Sequence, residues 1–250
     1  MESDESNRPF SASAQICMAC QLHGFCLPGH LGAEVLETLS TIVKARPPVP
    51  RGTYLFNQGA PMTAYYFLRS GSAKAIVDDD DGRESVTAFL LPSDIVGAGA
   101  MQRPVYYDSV VTLERSAYCS LAVSDLTALF RDRPEIRDNF ESKITNRIHM
   151  ERHARTRLDH TSAEQRVADF IIELSTRLHD LSRDPNALYL PMSRYDIGSY
   201  LGLAPETVSR TLRRFHDAGV ASVNVKQVRI IDRIRLSEIV HSPAAARNLA

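Results

Sequence analysis

The stretch from Ser193 to Phe215, SRYDIGSYLGLAPETVSRTLRRF, constrains the fold of this 250-residue chain most strongly. Gly198 allows two helices to approach closely, and Gly202 can adopt the left-handed conformation that turns the chain between them. Pro205 is tolerated in the first turn of a helix, so a second helix is predicted to begin there. Apolar residues stand where two short, steeply crossing helices need contacts: Ile197, Leu201, Leu203, Val208 and Leu212. The stretch therefore predicts a helix-turn-helix.

The second helix of this motif is predicted to present a polar face to a ligand. That face carries five residues: Glu206, Ser209, Arg210, Arg213 and Arg214. Arginine can bond guanine O6 and N7 together, and glutamate can accept from cytosine N4, so this face is typical of a major-groove reader of double-stranded DNA. A predicted strand pair at 220–232 would place Lys226 and Arg229 near the DNA backbone as a wing. The competing interpretation is a plain helical hairpin with a charged face.

Residues 47–123 have a different residue pattern, in which short runs of β-branched and aromatic residues are separated by Gly, Pro and Asp. The runs are TYLFNQG, AYYFLRSG, SAKAIVDDDDG, ESVTAFLLPSD, DSVVTL and YCSLAV. Strands this short, with turn signals this frequent, predict an antiparallel sandwich or barrel. The segment DDDDG at 78–82 is predicted to be a hairpin tip, because Asp-Gly favours a tight turn.

Residues 134–158 predict a long, Arg-rich helix with a narrow apolar stripe. The stripe consists of Ile136, Phe140, Ile144 and Ile148. Such a stripe on a charged helix favours a seam against a partner helix over a core position. Glu151 lies on the same stripe, seven residues after Ile144, and would repel its own copy in a parallel dimer. The alternative is an exposed glutamate paired with Arg147 or Arg155.

The charge of the chain is small overall but unevenly distributed. Residues 1–130 hold 9 Lys/Arg against 14 Asp/Glu, whereas residues 131–250 hold 20 against 16. This asymmetry suggests a sensing domain followed by a domain that binds polyanions, although modest asymmetries are common.

No apolar run approaches the roughly 20 residues of a membrane span, and the polar N-terminus does not resemble a secretory signal. We therefore expect a cytosolic protein with reduced thiols and no membrane partner.

Residues 16–26, ICMACQLHGFC, contain Cys17, Cys20 and Cys26, while the remaining cysteine, Cys119, is far away. A disulfide framework is disfavoured in a reducing compartment, and a thioredoxin-like pair would leave two cysteines without a role. A structural zinc usually uses two close Cys pairs. Four thiolates with uneven spacing suit a [4Fe–4S] cluster, but zinc and an incidental arrangement remain open.

These motifs together resemble the FNR-type oxygen-responsive regulators of the Crp–Fnr superfamily, over about residues 17–235. The resemblance lies in QICMACQLHGFCLP, YYFLRSGSAKAIV, LLPSDIVG, AEQRVADFIIELSTR and YDIGSYLGLAPETVSR. It implies an α+β fold with an N-terminal antiparallel β-roll of the cyclic-nucleotide-binding type, a long dimerisation helix and a C-terminal winged helix-turn-helix. The implied divisions are a disordered tail (1–15), an iron–sulfur sensing segment with the β-roll (16–130), the dimerisation helix (131–160), the DNA-binding domain (161–235) and a C-terminal tail (236–250).

The resemblance also implies a function, that of a cytoplasmic transcription activator. Its oxygen-labile [4Fe–4S] cluster would be held by Cys17, Cys20, Cys26 and Cys119. With the cluster intact, a homodimer would bind a palindrome resembling TTGAT-N4-ATCAA, and oxygen would switch binding off. Glu206, Ser209 and Arg210 are the recognition residues that the resemblance carries over.

Two further roles follow from the resemblance. The family contacts RNA polymerase at the position of the acidic hairpin, here Asp80, Asp81, Gly82 and Arg83, where the alternative is a solvated turn. An acidic residue at the position of Glu151 restrains dimerisation in the family.

Other functions are less consistent with the sequence. Cyclic-nucleotide-dependent relatives present a Gly-Glu pair and an Arg in the roll, whereas this chain has Ala98 after Gly97 and Tyr107-Asp108 where a cation is needed. An anionic phosphate facing Asp108 is unfavourable, so no cyclic nucleotide is expected. No nucleophile-plus-base set or nucleotide loop indicates an enzyme. A zinc or thiol switch, or a small-molecule effector on the same fold, remains the alternative.

Overall fold

This computed structural model describes residues 17, 20–22, 24, 26–27, 32–79, 81–98, 104–158, 161–181 and 183–241, without the side chains of 146, 147 and 149–158. The predicted tail at 1–15 and the residue Asp80 lie outside the described residues. The side chain of Glu151 also lies outside them. No helix in the described ranges has the length and apolar character that crossing a membrane requires.

The N-terminal domain is built from short antiparallel strands, as predicted. Helix α1 (Ala33–Ile42) comes first, and the strands are β1 (Lys44–Ala45), β2 (Tyr54–Phe56), β3 (Ala64–Ser70), β4 (Ala73–Asp78), β5 (Glu84–Leu90), β6 (Ile95–Val96), β7 (Ser109–Thr112) and β8 (Ala117–Ala122). Within the described residues they form two four-stranded sheets, with orders β1-β8-β3-β6 and β2-β7-β4-β5. Each of the runs read as strands from the sequence contains one.

Two helices follow the roll, α2 (Val123–Asp132) and α3 (Pro134–Leu158). The first half of α3 belongs to the core of its own domain, because Ile136 and Phe140 are almost completely buried. Phe140 packs edge-on against Tyr65 of β3, with ring centroids 5.1 Å apart. The predicted seam against a partner helix is therefore wrong for these two residues, which cover the sheet. Ile148 is 44% exposed and stays available to a partner.

The C-terminal domain contains the predicted helix-turn-helix. Its elements are α4 (Ala163–Asp180), β9 (Ala187–Tyr189), α5 (Arg194–Leu201), α6 (Pro205–Asp217), β10 (Ala221–Asn224), β11 (Gln227–Ile230) and α7 (Arg233–His241). Strands β10 and β11 form the predicted pair, and β9 joins β11 as a further antiparallel strand. Ser162 and Ser193 begin α4 and α5 with capping boxes, each side chain accepting from the backbone N–H three residues later.

Helix α7 corrects the prediction of a C-terminal tail from residue 236. The helix extends to His241, and Leu236 and Ile239 are fully buried. They join the apolar core of the C-terminal domain together with Phe170 and Phe215. This helix was not predicted from the sequence, because its other face is charged and its apolar residue Ile234 is exposed. The domain therefore extends beyond the expected boundary at 235.

The two domains are joined through the β4–β5 hairpin. Lys74 of β4 donates to Glu84 at 2.6 Å and to Asp196 of α5 at 2.8 Å. The side chains of Lys74 and Asp196 are largely buried, whereas that of Glu84 is more exposed. The backbone N–H of Val86 donates to the Ser199 hydroxyl at 2.9 Å. One apolar core continues through this junction, where the Phe89 ring packs against Tyr200 with centroids 5.2 Å apart.

Asp196 serves both the local helix and the domain junction. Burial alone would raise the pKa of its carboxyl group, but hydrogen bonds from Lys74 and Ser193 outweigh burial and hold the pKa below 3.8. A carboxyl group whose pKa is lower in the folded than in the unfolded state stabilises the fold fully at pH values above its unfolded pKa. That stabilisation is lost as the pH falls through the lowered pKa.

We predict that Lys74→Met lowers the free energy of unfolding by about 2–3 kcal/mol at neutral pH, because it leaves a buried carboxylate without its cation. The matched control is Arg83→Met in the same hairpin, whose pair with Asp81 at 3.5 Å is exposed on both sides. That change should cost less than about 1 kcal/mol. Urea unfolding measures both values, and the deficit of Lys74→Met should shrink as Asp196 becomes protonated. Equal deficits in the two variants would contradict the buried junction.

Candidate functional site

The four cysteines converge on one cavity beneath α1. Cys119 is buried in β8, where it pairs with Phe67 of β3, and the other three lie in the segment that precedes α1. The backbone N–H of Cys17 donates to the Ser40 hydroxyl at 3.2 Å, which fixes one end of that segment on α1. The cavity is lined by the four cysteines, apolar side chains and one cation: Cys17, Cys20, Cys26, Cys119, Leu22, Leu27, Leu39, Val43, Phe67, Leu68 and Arg69.

The environment of this cavity favours the protonated thiol form of Cys17, Cys26 and Cys119. Burial raises the pKa of Cys26 to about 12 and that of Cys119 to about 12. Burial also raises the pKa of Cys17, although the hydrogen bond with Ser40 opposes the shift. Because thiolates are the ligating form, these cysteines become ligands only if a bound cation compensates for the buried negative charge.

The donor set matches a thiophilic metal or an iron–sulfur cluster in chemistry. Four sulfur atoms face one water-poor cavity, and the buried Nε of Arg69 has no hydrogen-bond partner among the described residues. No group of three or more His, Cys, Asp or Glu side chains in the described ranges stands at metal-binding geometry. The fold therefore brings the predicted ligands together but does not preset their coordination. All four cysteines are free thiols in this structure.

The helix-turn-helix forms around its two glycines. Gly202 ends α5 in the left-handed conformation at φ 62°. At Gly198 an added Cβ would lie 2.5 Å from the carbonyl oxygen of Leu203, so only glycine permits this approach of the turn. Val208 and Leu212 of α6 are buried against the domain core. These contacts fix the direction of α6 and leave its other face in solvent.

The exposed face of α6 carries the predicted recognition residues. Glu206, Ser209, Arg210 and Arg213 are all exposed, and their spacing places them along one side of the helix. The Ser209 hydroxyl donates to the Pro205 carbonyl at 3.0 Å, and Arg210 Nη2 donates to Thr207 Oγ1 at 3.2 Å. Arg213 lies 3.7 Å from Asp217 in an exposed pair. These weak local contacts leave the polar groups free to exchange partners with base edges.

The strand pair forms a wing beside α6. The backbone N–H of Val223 donates to His216 Nδ1 at 3.1 Å, which holds the wing on the recognition helix. Arg229 is exposed in β11 and lies 3.8 Å from Asp184. Arg194, which the sequence analysis did not single out, donates to the Val225 carbonyl at the wing tip at 2.7 Å. No sequence pattern indicates this contact, because it joins residues that are distant along the chain.

Comparison with known proteins agrees with this architecture. Residues 47–133 match the model of the cyclic nucleotide-binding domain, and residues 165–239 match that of the Crp-like helix-turn-helix domain. The chain is 36% identical over 220 residues to the transcriptional activator protein anr of Pseudomonas aeruginosa, covering 88% of this chain and 90% of the relative. This chain belongs to the Crp–Fnr family. It is a DNA-binding transcription regulator, not an enzyme.

Other Crp–Fnr relatives give the same result. The anaerobic regulatory protein of Pasteurella multocida is 32% identical over 223 residues, which is 89% of this chain and 82% of the relative. The structure of FixK2 from Bradyrhizobium japonicum superposes with a TM-score of 0.72 at 24% identity, covering 79% of this chain and 97% of FixK2. At that identity the structural similarity supports the fold alone.

The acidic hairpin of this Crp–Fnr protein projects into solvent. Gly82 has φ 74°, as a tight turn requires, and Asp79 Oδ1 accepts from the backbone N–H groups of Asp81 and Arg83. Asp81 and Arg83 are exposed. The hairpin tip is therefore a self-supported projection whose charges have no role in the core.

The cysteine cavity and α3 share one apolar core. Cys119 and Phe140 are buried in the same cluster, and Cys26 and Ile144 pack against it. Burial lowers the pKa of Lys143 in α3, and the charge of Cys26 opposes that shift. The cysteine segment and the first half of α3 therefore pack on the same core.

Proposed function

We propose that this chain is an anaerobic transcription activator controlled by an oxygen-labile [4Fe–4S] cluster on Cys17, Cys20, Cys26 and Cys119. The observation that carries the proposal is the convergence of these four thiols on one apolar cavity, in a Crp–Fnr chain whose relatives include an anaerobic regulatory protein. When bound, such a cluster supplies sensitivity to oxygen and adds a net charge to the cavity. The function requires a cytoplasmic location with access to DNA.

Each part of the chain has a distinct task in this proposal. The cysteine segment and β8 supply the ligands, while Leu27, Leu39 of α1 and Phe67 of β3 exclude water from the cavity. The shared core transmits a change in this segment to α3, because Phe140 packs in the cluster that contains Cys119. We infer that a homodimer forms along the stripe of α3 that includes the exposed residue Ile148. The dimer would then place two α6 helices in successive major grooves of DNA.

We propose that α6 reads a palindrome resembling TTGAT-N4-ATCAA. Arg210 can bond a guanine through two nitrogens, Glu206 can accept from a cytosine, and Ser209 can bond a base or a phosphate. Arg213 and Arg229 stand farther along the helix and on the wing, where phosphate contacts position a protein on its site. The hairpin residues Asp81, Gly82 and Arg83, together with Asp80, are proposed to contact RNA polymerase.

We propose no cyclic nucleotide for this roll, although its fold is of the cyclic-nucleotide-binding type. Phe56 and Tyr106 stack with ring centroids 3.8 Å apart, and the Tyr106 hydroxyl donates to the Ala64 carbonyl at 2.7 Å. Tyr106 also lies against Gly97, where an added Cβ would be 3.2 Å from its ring. These packed aromatic rings occupy the interior next to Gly97.

We predict that Cys119→Ser abolishes the iron–sulfur absorbance of anaerobically purified protein and its operator binding together. Loss of one thiolate leaves a corner of the cluster without its ligand. Iron, acid-labile sulfide and zinc are measured in the same samples. Ser120→Ala, a buried neighbour in β8, controls for packing and should keep the cluster. A full cluster in Cys119→Ser would exclude the distant ligand, and zinc without sulfide in the wild type would favour a zinc switch.

We predict that Arg210→Ala weakens operator binding by about 1–3 kcal/mol and relaxes preference at a single base pair. Arg229→Ala should weaken binding to all sequences alike and reduce the salt dependence, as expected for a phosphate contact. Arg137→Ala, an exposed change on α3, removes the same charge outside the DNA-binding domain. Binding is measured on mutated half-sites at several salt concentrations, and the reverse pattern would exchange the two roles.

We predict that Glu151→Ala permits partial dimerisation and operator binding in air, without a cluster. Two carboxylates near a twofold axis repel by about 1–4 kcal/mol, depending on the effective dielectric. Glu141→Ala is the matched control, because Glu141 is an exposed glutamate of the same helix that pairs with Arg137. Sedimentation measures the association. A purely monomeric Glu151→Ala protein in air would falsify the repulsion mechanism.

A further inference from the structure

Arg69 is a partly buried cation at the cysteine cavity. It lines the cavity together with the four cysteines, and its Nε is shielded from solvent without a hydrogen-bond partner among the described residues. Burying an unsatisfied donor of a charged group costs free energy. By contrast, the partly buried cation Lys74 is paired with both Glu84 and Asp196. We therefore expect an anionic partner for Arg69.

The backbone directs Arg69 to this position. Strand β3 pairs regularly with β8 as far as Leu68 and Tyr118, and the register then shifts before Ser70 pairs with Ala117. Arg69 is the residue at that irregularity. Shifts of this kind redirect a side chain and are common beside functional sites. Phe67, two residues earlier, belongs to the cluster around Cys119, and Phe67 and Arg69 both line the cavity.

Arg69 lines the cavity together with all four cysteines. The other cation near the cavity, Lys143, is also acted on by Asp94. Arg46, on the neighbouring strand edge, donates to Ser120 at 3.4 Å and does not line the cavity. Of these three cations, Arg69 is thus the one that lines the cavity together with the four cysteines.

We propose that Arg69 is the counter-ion of the metal–thiolate group that the four cysteines hold. Four thiolates around a dicationic core, whether an iron–sulfur cluster or a single divalent ion, leave a net negative charge in an apolar cavity. The guanidinium at the β3 irregularity compensates for that charge and gives its buried Nε an acceptor, a cysteine sulfur. The role of Arg69 rests on the proposed use of the cysteines as ligands, but it does not depend on which metal is bound.

The test uses Co²⁺ as a probe, because a tetrathiolate Co²⁺ site shows sulfur-to-metal charge-transfer absorption. Full-length protein is titrated anaerobically in competition with a chelator. We expect Arg69→Gln, which removes the charge, to weaken Co²⁺ binding about tenfold, as one charge at moderate effective dielectric predicts. Arg69→Lys should restore most of the affinity. Arg46→Gln is the matched control and should bind as the wild type does.

The outcomes separate the role of Arg69 from the proposed function. Unchanged Co²⁺ affinity in Arg69→Gln, in protein with the unfolding midpoint of the wild type, overturns the counter-ion role. Equal weakening in Arg69→Gln and Arg69→Lys also overturns it, because it indicates packing rather than charge. Anaerobic reconstitution with iron and sulfide is run on the same variants. A wild type that binds Co²⁺ in an Arg69-dependent way but assembles no cluster would refute the iron–sulfur function and leave the counter-ion role intact.

Discussion

The apolar core around Cys119 is the contact on which the rest of the structure depends. It joins the cysteine segment, two strands of the roll and the first half of α3 in one packed cluster. Leu27, directly after Cys26, is 2% exposed and inserts the segment into this core. Interiors packed this densely transmit displacement rather than absorbing it. A rearrangement of the cysteines therefore cannot be local, because Phe140 of α3 shares their neighbours.

A second set of contacts joins the roll to the DNA-binding domain. Lys74 and Val86 of the β4–β5 hairpin hold α5, the helix that supports α6, through Asp196 and Ser199. Arg177 of α4 donates to the Phe89 carbonyl at 3.0 Å and also pairs with Asp94. The strands of this hairpin thus fix the helix-turn-helix, while its acidic tip remains in solvent. One element connects the DNA-reading helix with the surface proposed to meet polymerase.

The parts of the fold that follow from local rules could be predicted from the sequence. Gly198, Gly202 and Pro205 define the helix-turn-helix because each satisfies a backbone requirement that few other residues meet. The strands of the roll were predictable because Gly, Pro and Asp separate β-branched runs. The antiparallel roll, the long helix and the Crp–Fnr family were confirmed, whereas the ligand role of the cysteines remains a proposal.

The parts that depend on tertiary contacts could not be predicted. Ile136 and Phe140 lie on the same stripe as Ile148, and periodicity does not tell whether a stripe faces its own domain or a partner. The pairing of Lys74 with Asp196 joins residues 122 positions apart. The importance of Arg69 appears only once the register shift in β3 and the position of Cys119 are known. Sequence patterns identify faces, and the packing partner of each face comes from the three-dimensional structure.

The burial of Ile136 and Phe140 in the core of their own domain explains how a small repulsion could control the proposed dimer. Ile136 and Phe140 are buried in the core, so few apolar residues of the described stripe remain available to a partner. A dimer with a long apolar seam would persist in both states. With a short seam, about 1–4 kcal/mol of carboxylate repulsion at Glu151 is enough to oppose association.

The cysteine end can supply more free energy than this repulsion removes. The described part of the cysteine segment is held by few polar contacts, among them Cys26 N–H to the Leu22 carbonyl at 2.8 Å and Cys17 N–H to Ser40. Metal binding to thiolate sites in small domains is worth about 10–16 kcal/mol, and reversing a two-state equilibrium takes about 5.5 kcal/mol. Under the proposed function, metal–thiolate binding can therefore order the segment, shift α3 through the shared core and still exceed the repulsion at Glu151. A weak seam and a strong ligand site are together what a reversible dimer requires.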